Sequence, residues 1–196
     1  PQLKPLLTKL RFIEGLQSPQ DNYLGALILG ATVHTVRKRI LYLDSEWKRG
    51  VRFSTIYFLG GARPLTVWEK FNVPVETETE MLKWLWNTIE VSEEMRSQVE
   101  VVFINSPMKT NLKTSALFRP TTEDNVLDWV KASPPLGHYL AISSAPYTPR
   151  QDLILQILAP KEYLIDTIGP EASKDEKMVI ILDELARYLF SLHLSL

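Results

Sequence analysis

Between Tyr23 and Gly50 the chain reads YLGALILGATVHTVRKRILYLDSEWKRG, and its two halves demand different backbones. Leu24 to Leu29 is a short apolar run bounded by turn residues, the pattern of a strand buried on both faces. Gly30, Ala31 and Thr32 then place small residues where the backbone must turn, which leaves room for a ligand. Beyond the turn, Val36, Ile40, Leu43 and Trp47 recur at helical spacing as one apolar stripe, with Arg37, Lys38, Glu46 and Lys48 expected to point elsewhere. Strand, turn and helix make half of a β-α-β unit.

The same alternation recurs along the chain. Leu3, Leu6, Leu7, Leu10, Ile13 and Leu16 predict an N-terminal helix within residues 1–20, closed by Ser18-Pro19 and Asp21-Asn22. Strands are expected near 26–30, 55–59, 101–105, 139–143 and 163–167. Helical patterns separate them: Thr77 to Ile89, Val126 to Val130 and Leu153 to Leu158, with a closing helix over 174–195. The length suits a single domain over 1–196, with its core over 23–168. Parallel neighbours need right-handed crossovers, so the expected fold is an α/β, Rossmann-like three-layer sandwich around a mostly parallel five-stranded sheet. Its expected strand order is 3-2-1-4-5, and ligands of such sheets bind beyond the carboxyl ends of the strands where the order reverses.

Charge and composition narrow the function. The chain has 22 basic and 23 acidic residues and a formal charge of −1, so no global field points to nucleic acid or a membrane surface. No run of about 18 apolar residues predicts a transmembrane helix. Zero cysteines exclude disulfides, thiolate metal sites and cysteine nucleophiles, and fit a reducing cytoplasm and a cysteine-free periplasmic protein equally well. The start at Pro1 is compatible with a leader or anchor removed before it. The phosphate-binding P-loop, GxSxG, HExxH and zinc-type clusters are absent, and no metal site is expected. Gly30-Ala31-Thr32-Val33-His34 has one glycine where the dinucleotide fingerprint needs three, which argues against ordinary NAD binding.

Four strand ends carry small or polar residues that should converge on one rim: Gly30-Ala31-Thr32, Gly60-Gly61-Ala62-Arg63, Asn105-Ser106 and Ser143-Ser144. Two connections leaving that rim, Gly60 to Glu76 and Ser106 to Pro120, exceed the roughly 12–15 residues beyond which structureless loops become uncommon, and are candidate lids. The second carries Lys109, Lys113 and Arg119 without an acid. Arg39 lies about 60° from the centre of its helix's apolar stripe, so it either faces the sheet or lays its stem on apolar surface and sends its charge to water. Thr77-Glu78-Thr79-Glu80 reads as a capping box in which Thr77 and Glu80 satisfy helix amides. Glu123 and Asp124 suit the first turn after Thr122.

Arg150 has the wrong sign for its position. Thr148-Pro149-Arg150-Gln151 reads as cap, first-turn proline and box-closing glutamine, which puts a cation at the positive end of a helix. Either a carboxylate such as Asp124 or a bound anion should compensate it. Of the scattered histidines, His34 alone falls at a strand end, and Trp84, Trp86 and Trp129 fit helix cores. Asp124, Glu78 and Ser143 are the candidate catalytic groups, although no histidine is placed to activate Ser143.

Four segments together resemble the YdcF/SanA/ElyC-like family of bacterial proteins over roughly Leu24 to Thr167. They are Leu29-Gly30-Ala31 with Arg39 and Gly50; Gly60-Gly61; Thr121-Thr122-Glu123-Asp124-Asn125; and Ser143 to Arg150. The family's SGG is Leu59-Gly60-Gly61 here, its Glu-Ala pair matches loosely at Glu78, and its NTxEN is replaced by Thr121 to Asn125. Its TSxxHxxR appears with Tyr147 in place of the histidine. The resemblance implies a Rossmann-like sheet with a ligand site built from Gly30, Ala31, Thr32, Arg39, Gly60, Gly61, Arg63, Thr122, Asn125, Ser143, Ser144, Tyr147 and Arg150. It also implies S-adenosylmethionine as a cofactor and partners in the cell envelope. Three readings follow: a domain binding or processing an anionic small molecule (phosphorylated, nucleotide-like or an envelope precursor); an S-adenosylmethionine-dependent methyltransferase, though no acidic residue closes the second strand to hold a ribose; and a non-catalytic envelope-assembly domain.

Overall fold

The computed structural model describes residues 3–111 and 114–194. In chain order its elements are α1 (Leu3–Lys9), β1 (Gly25–Leu29), α2 (Val33–Arg49), β2 (Thr55–Gly61), α3 (Val67–Lys70), α4 (Glu78–Thr88), α5 (Glu93–Gln98) and β3 (Glu100–Ser106). There follow β4 (Lys109–Thr110), β5 (Leu117–Phe118), α6 (Thr122–Lys131), β6 (Gly137–Ile142), α7 (Thr148–Leu158), β7 (Tyr163–Ile168) and α8 (Met178–Leu194). The main sheet has the order β3-β2-β1-β6-β7, and every pairing in it is parallel. These labels differ from the expected 3-2-1-4-5 because the antiparallel hairpin β4-β5 comes between the third and fourth strands of the sheet. The order reverses between β1 and β6.

Alternate residues of each strand feed two cores, as the period-2 geometry of a strand requires. Ala26, Ile28, Ile56, Phe58, Leu140 and Ile142 face α2 and α4, where Val36, Ile40, Leu43, Trp47, Met81, Leu82 and Leu85 are buried. Leu27, Leu29, Tyr57, Leu59, Tyr139 and Ala141 face α6 and α7, which supply Val126, Trp129, Ile154 and Leu155. Each large apolar side chain so buried contributes roughly 1.5–3 kcal/mol, so the helices are fixed by their stripes rather than by propensity. α8 lies beside α7 but joins neither of these cores, packing Ile181 against Leu7 and Phe12.

The N-terminal helix is shorter than predicted. α1 ends at Lys9, Arg11 takes the left-handed conformation (φ 64°), and the Arg11 and Phe12 amides donate to the Thr8 and Leu7 carbonyls, the Schellman pattern of a helix stop. Leu16 then pairs with Gly169 as an isolated bridge. Glu46, expected to face away, is instead buried, where it accepts from the Ser18 amide and from Arg49. The two long connections hold structure of their own: α3 in the first and the hairpin in the second. Lys113 lies outside the described residues. Among those described, no helix is long and apolar enough to cross a membrane.

Candidate functional site

A cleft of about 850 Å³ opens at the carboxyl ends of the strands. Its wall combines the turn after β1, the start of α3, Glu78 of α4, the segment from Arg119 into α6, the first turn of α7 and one side of α8. Gly30, Ala31, Thr32, Arg39, Arg63, Glu78, Thr122, Asn125, Tyr147 and Arg150 all line it. Gly60, Gly61, Asp124, Ser143 and Ser144 do not.

Arg39 faces the sheet and is 1 % exposed, so its guanidinium does not reach water. Its Nη1 donates to the carbonyls of Leu29 (2.6 Å) and Gly30 (3.2 Å), and its Nη2 to Ser144 Oγ and Gln151 Oε1, both at 3.2 Å. Nε completes the set to Ser144 Oγ at 3.4 Å. All five N–H groups are occupied, and every acceptor is neutral. Burial pushes Arg39 down to about 10, which still leaves it charged at neutral pH; Tyr147 and Glu78 oppose the drop and Arg150 adds to it. The cleft floor therefore carries a buried positive charge with no ion-pair partner among the described residues.

Ser143 and Ser144 stand behind this arginine. Ser143 Oγ donates to Gln151 Oε1 at 2.5 Å, and the residue is wholly buried, so it positions Gln151 rather than facing a substrate. The predicted capping box at Thr148 does not form: Tyr147 is the cap residue, its side chain makes no cap hydrogen bond, and Gln151 turns inward to Arg39. α2 likewise starts at Thr32 without a side-chain cap, and neither helix has an acid in its first turn. Thr32 and Thr35 of the first start and Tyr147, Arg150 and Gln151 of the second line the cleft.

On the opposite side the helix starts cap themselves. α3, α4 and α6 each begin with a complete box: Thr66/Glu69, Thr77/Glu80 and Thr121/Asp124. The cap of α6 is thus Thr121 rather than Thr122. Arg63 closes its fork on Glu69 with contacts of 2.9 and 3.0 Å and reaches Ala31's carbonyl at 3.2 Å. Burial raises Glu69, but Arg63 and the Thr66 donors outweigh it and bring the carboxyl to about 2.

Glu78 is different. It is 5 % exposed, its Oε2 accepts from the Gly61 amide at 3.2 Å, and its Oε1 has a 3.5 Å contact to the already occupied Arg63. Burial raises its pKa more than Arg63 and the Gly61 amide lower it. The carboxyl lies against the ends of β1 and β2: a Cβ on Gly30 would sit 2.9 Å from Glu78 Oε1 and 2.6 Å from the Leu59 carbonyl, so only glycine fits there. Gly61 answers a packing demand, since a Cβ would come within 2.2 Å of Pro120 Cγ, and Gly60 abuts Leu82 in the same way.

The expected contact between Arg150 and Asp124 does not form. Arg150 is compensated by Glu184 of α8, at 2.7 and 3.3 Å, and not by Asp124. Asp124 closes its own capping box and pairs with Lys109 at 2.6 Å. Burial raises Asp124, while Lys109 and the Thr121 donors hold it below the usual carboxylate range.

Sequence reasoning missed Glu69, Gln151, Glu184 and Arg187 as members of this wall. Gln151 carries a local capping signal that misleads, and Glu184 is a tertiary partner 34 residues from Arg150. Arg119, noted as part of the basic loop, lines the cleft with an exposed side chain and no ion pair among the described residues. Asn125 Oδ1 is buried there without a hydrogen-bond partner. Among the described residues no group of three or more His, Cys, Asp or Glu is placed to hold a metal ion. Compared with protein-family models, with curated proteins and with solved structures, the chain gives no significant match to any of the three.

Proposed function

We propose that this domain binds an anionic small molecule, phosphorylated or nucleotide-like, in the part of the cleft between the starts of α2 and α7. The observation that carries the reading is Arg39, a buried guanidinium at the cleft floor whose partners are all neutral. At an effective dielectric near 20, an anion about 6 Å from such a charge gains roughly 3 kcal/mol, well above the ~1 kcal/mol typical of an exposed pair. The two helix starts without side-chain caps add amide donors, and Arg119 adds a cation at the mouth. The resemblance to the YdcF/SanA/ElyC-like family belongs to this reading and agrees with a site in these segments.

Calorimetric titration with inorganic phosphate, sugar phosphates and nucleotides tests it. Arg119→Gln should weaken binding several-fold at unchanged thermal stability, and Arg39→Met should weaken it at least tenfold. Affinity unaltered in both variants contradicts the proposal.

A methyltransferase reading has one observation in its favour: Glu78 brings a carboxyl to the ends of β1 and β2, where the second strand itself carries none. Transfer of a labelled methyl group from S-adenosylmethionine to an acceptor would single it out, and its absence across acceptor classes would remove it.

A further inference from the structure

Two acceptors in the cleft are left with unused capacity. Glu78 Oε1 has no hydrogen-bond partner closer than 3.5 Å, and that one is a long ion pair with an arginine whose fork is already closed on Glu69. Asn125 Oδ1, in a residue 7 % exposed, has no hydrogen-bond partner and no accessible surface of its own, so it meets a ligand once its amide turns toward the cleft. Leaving buried acceptors unmade is costly, so both groups call for a donor from whatever fills the cleft. Neither can take an ionised phosphate oxygen, because acceptor would meet acceptor.

We infer that the ligand is a polyhydroxylated anion, a phosphorylated sugar or nucleoside, whose hydroxyls donate to Glu78 and Asn125 while its charged group lies over the starts of α2 and α7. This rests on the anion reading proposed above and adds the substrate class. The donor is a neutral hydroxyl rather than an ammonium because Arg63 contacts Glu78 and the charge of Arg39 also acts on it, and both would repel a second cation. Size agrees: a cleft of about 850 Å³ is far larger than a phosphate ion needs and falls in the range of roughly 300–1,000 Å³ that encloses small organic ligands. An alkyl phosphate has the charge but no donors, so it would leave both acceptors unpaired. Sites built to bond a hydroxyl reject analogues lacking it strongly, since the buried polar group is stranded.

The test is calorimetric titration of the full chain with butyl phosphate, ribose 5-phosphate, glucose 6-phosphate and adenosine 5′-monophosphate. At least one hydroxylated phosphate should bind tenfold or more tightly than butyl phosphate. In Glu78→Gln the amide oxygen can keep the Gly61 bond while an amide nitrogen replaces the free acceptor. That variant should lose most of the preference and retain its affinity for butyl phosphate. Asn125→Ala makes the same comparison independently should Glu78→Gln fold poorly, with urea unfolding run beside each. Equal affinity for all four compounds overturns the hydroxyl inference and leaves the anion site standing. A preference that survives in both variants overturns the assignment to Glu78 and Asn125, and no binding of any phosphate overturns both this inference and the reading beneath it.

Discussion

The two sides of the cleft rim satisfy their polar groups in opposite ways. On the β2-β3 side, α3, α4 and α6 each start with a threonine box, and Arg63 is locked to Glu69. On the β1-β6 side, α2 and α7 start without side-chain caps, and Arg39 has only neutral partners. A boxed helix start has satisfied two of its four free amides with its own side chains and has fewer left for a ligand. An uncapped start beside an unneutralised buried charge keeps more of that capacity: all of it at α2, and the Thr148 and Arg150 amides at α7, where Pro149 has no N–H and the Tyr147 amide donates to Ser144. Because α2 and α7 follow the two strands between which the sheet order reverses, the unspent side is also where topology opens a crevice.

Breaking the self-capping side should produce the largest effect. Glu69→Gln leaves the buried Arg63 with only its 3.5 Å ion pair to Glu78 and should cost about 3 kcal/mol in urea unfolding at neutral pH. The depressed carboxyl of Glu69 contributes stability above the ordinary carboxylate range, and this is lost as pH falls toward about 2, so parent and variant should converge there. Glu78 has the opposite sign. Its raised pKa means that ionisation opposes folding as pH rises through that value, so Glu78→Gln should be neutral or stabilising at pH 7. A similar loss in both variants would erase the distinction between the two carboxyls.

Smaller changes sharpen the contrast. Arg150→Ala leaves Glu184, 5 % exposed, with a 3.9 Å contact to Arg187, and should cost about 2 kcal/mol, on the scale of hydrogen bonds to a charged group. Arg150→Lys should recover part of that by restoring a single contact to Glu184. Thr121→Ala removes a formed box and should cost about 1 kcal/mol, whereas Thr32→Ala, at a start with no cap hydrogen bond, should cost no more than a few tenths. Equal losses at Thr121 and Thr32 would show that the two kinds of helix start do not differ in solution.

What was legible in the sequence follows the range of the interactions. The strands, their parallel pairing and the stripe from Val36 to Trp47 depend on local periodicity, and the structure places them within a residue or two of expectation. The box at Thr77 is equally local; at α6 the first-turn place of Asp124 was legible, but the cap is Thr121 and not Thr122. Helical geometry put Arg39 beside its apolar stripe, but its burial depends on Ser144 and Gln151 arriving from beyond β6, more than a hundred residues away. Gln151 had two uses open to it, cap and arginine partner, and tertiary packing selected the second. The partner of Arg150 was likewise set by where α8 docks, which its own pattern does not encode. At the N-terminus the apolar spacing runs on through Ile13 and Leu16 although the helix has stopped at Arg11.

The most direct test of the central claim is an amide-resolved NMR titration of the protein with inorganic phosphate. The unspent side should respond: saturable shifts are expected at Ala31 to Thr35 and at Thr148, Arg150 and Gln151, with much smaller changes at the boxed starts around Val67, Glu78 and Thr122. Shifts of equal size at all five helix starts, or shifts confined to exposed lysines and arginines, would contradict the account.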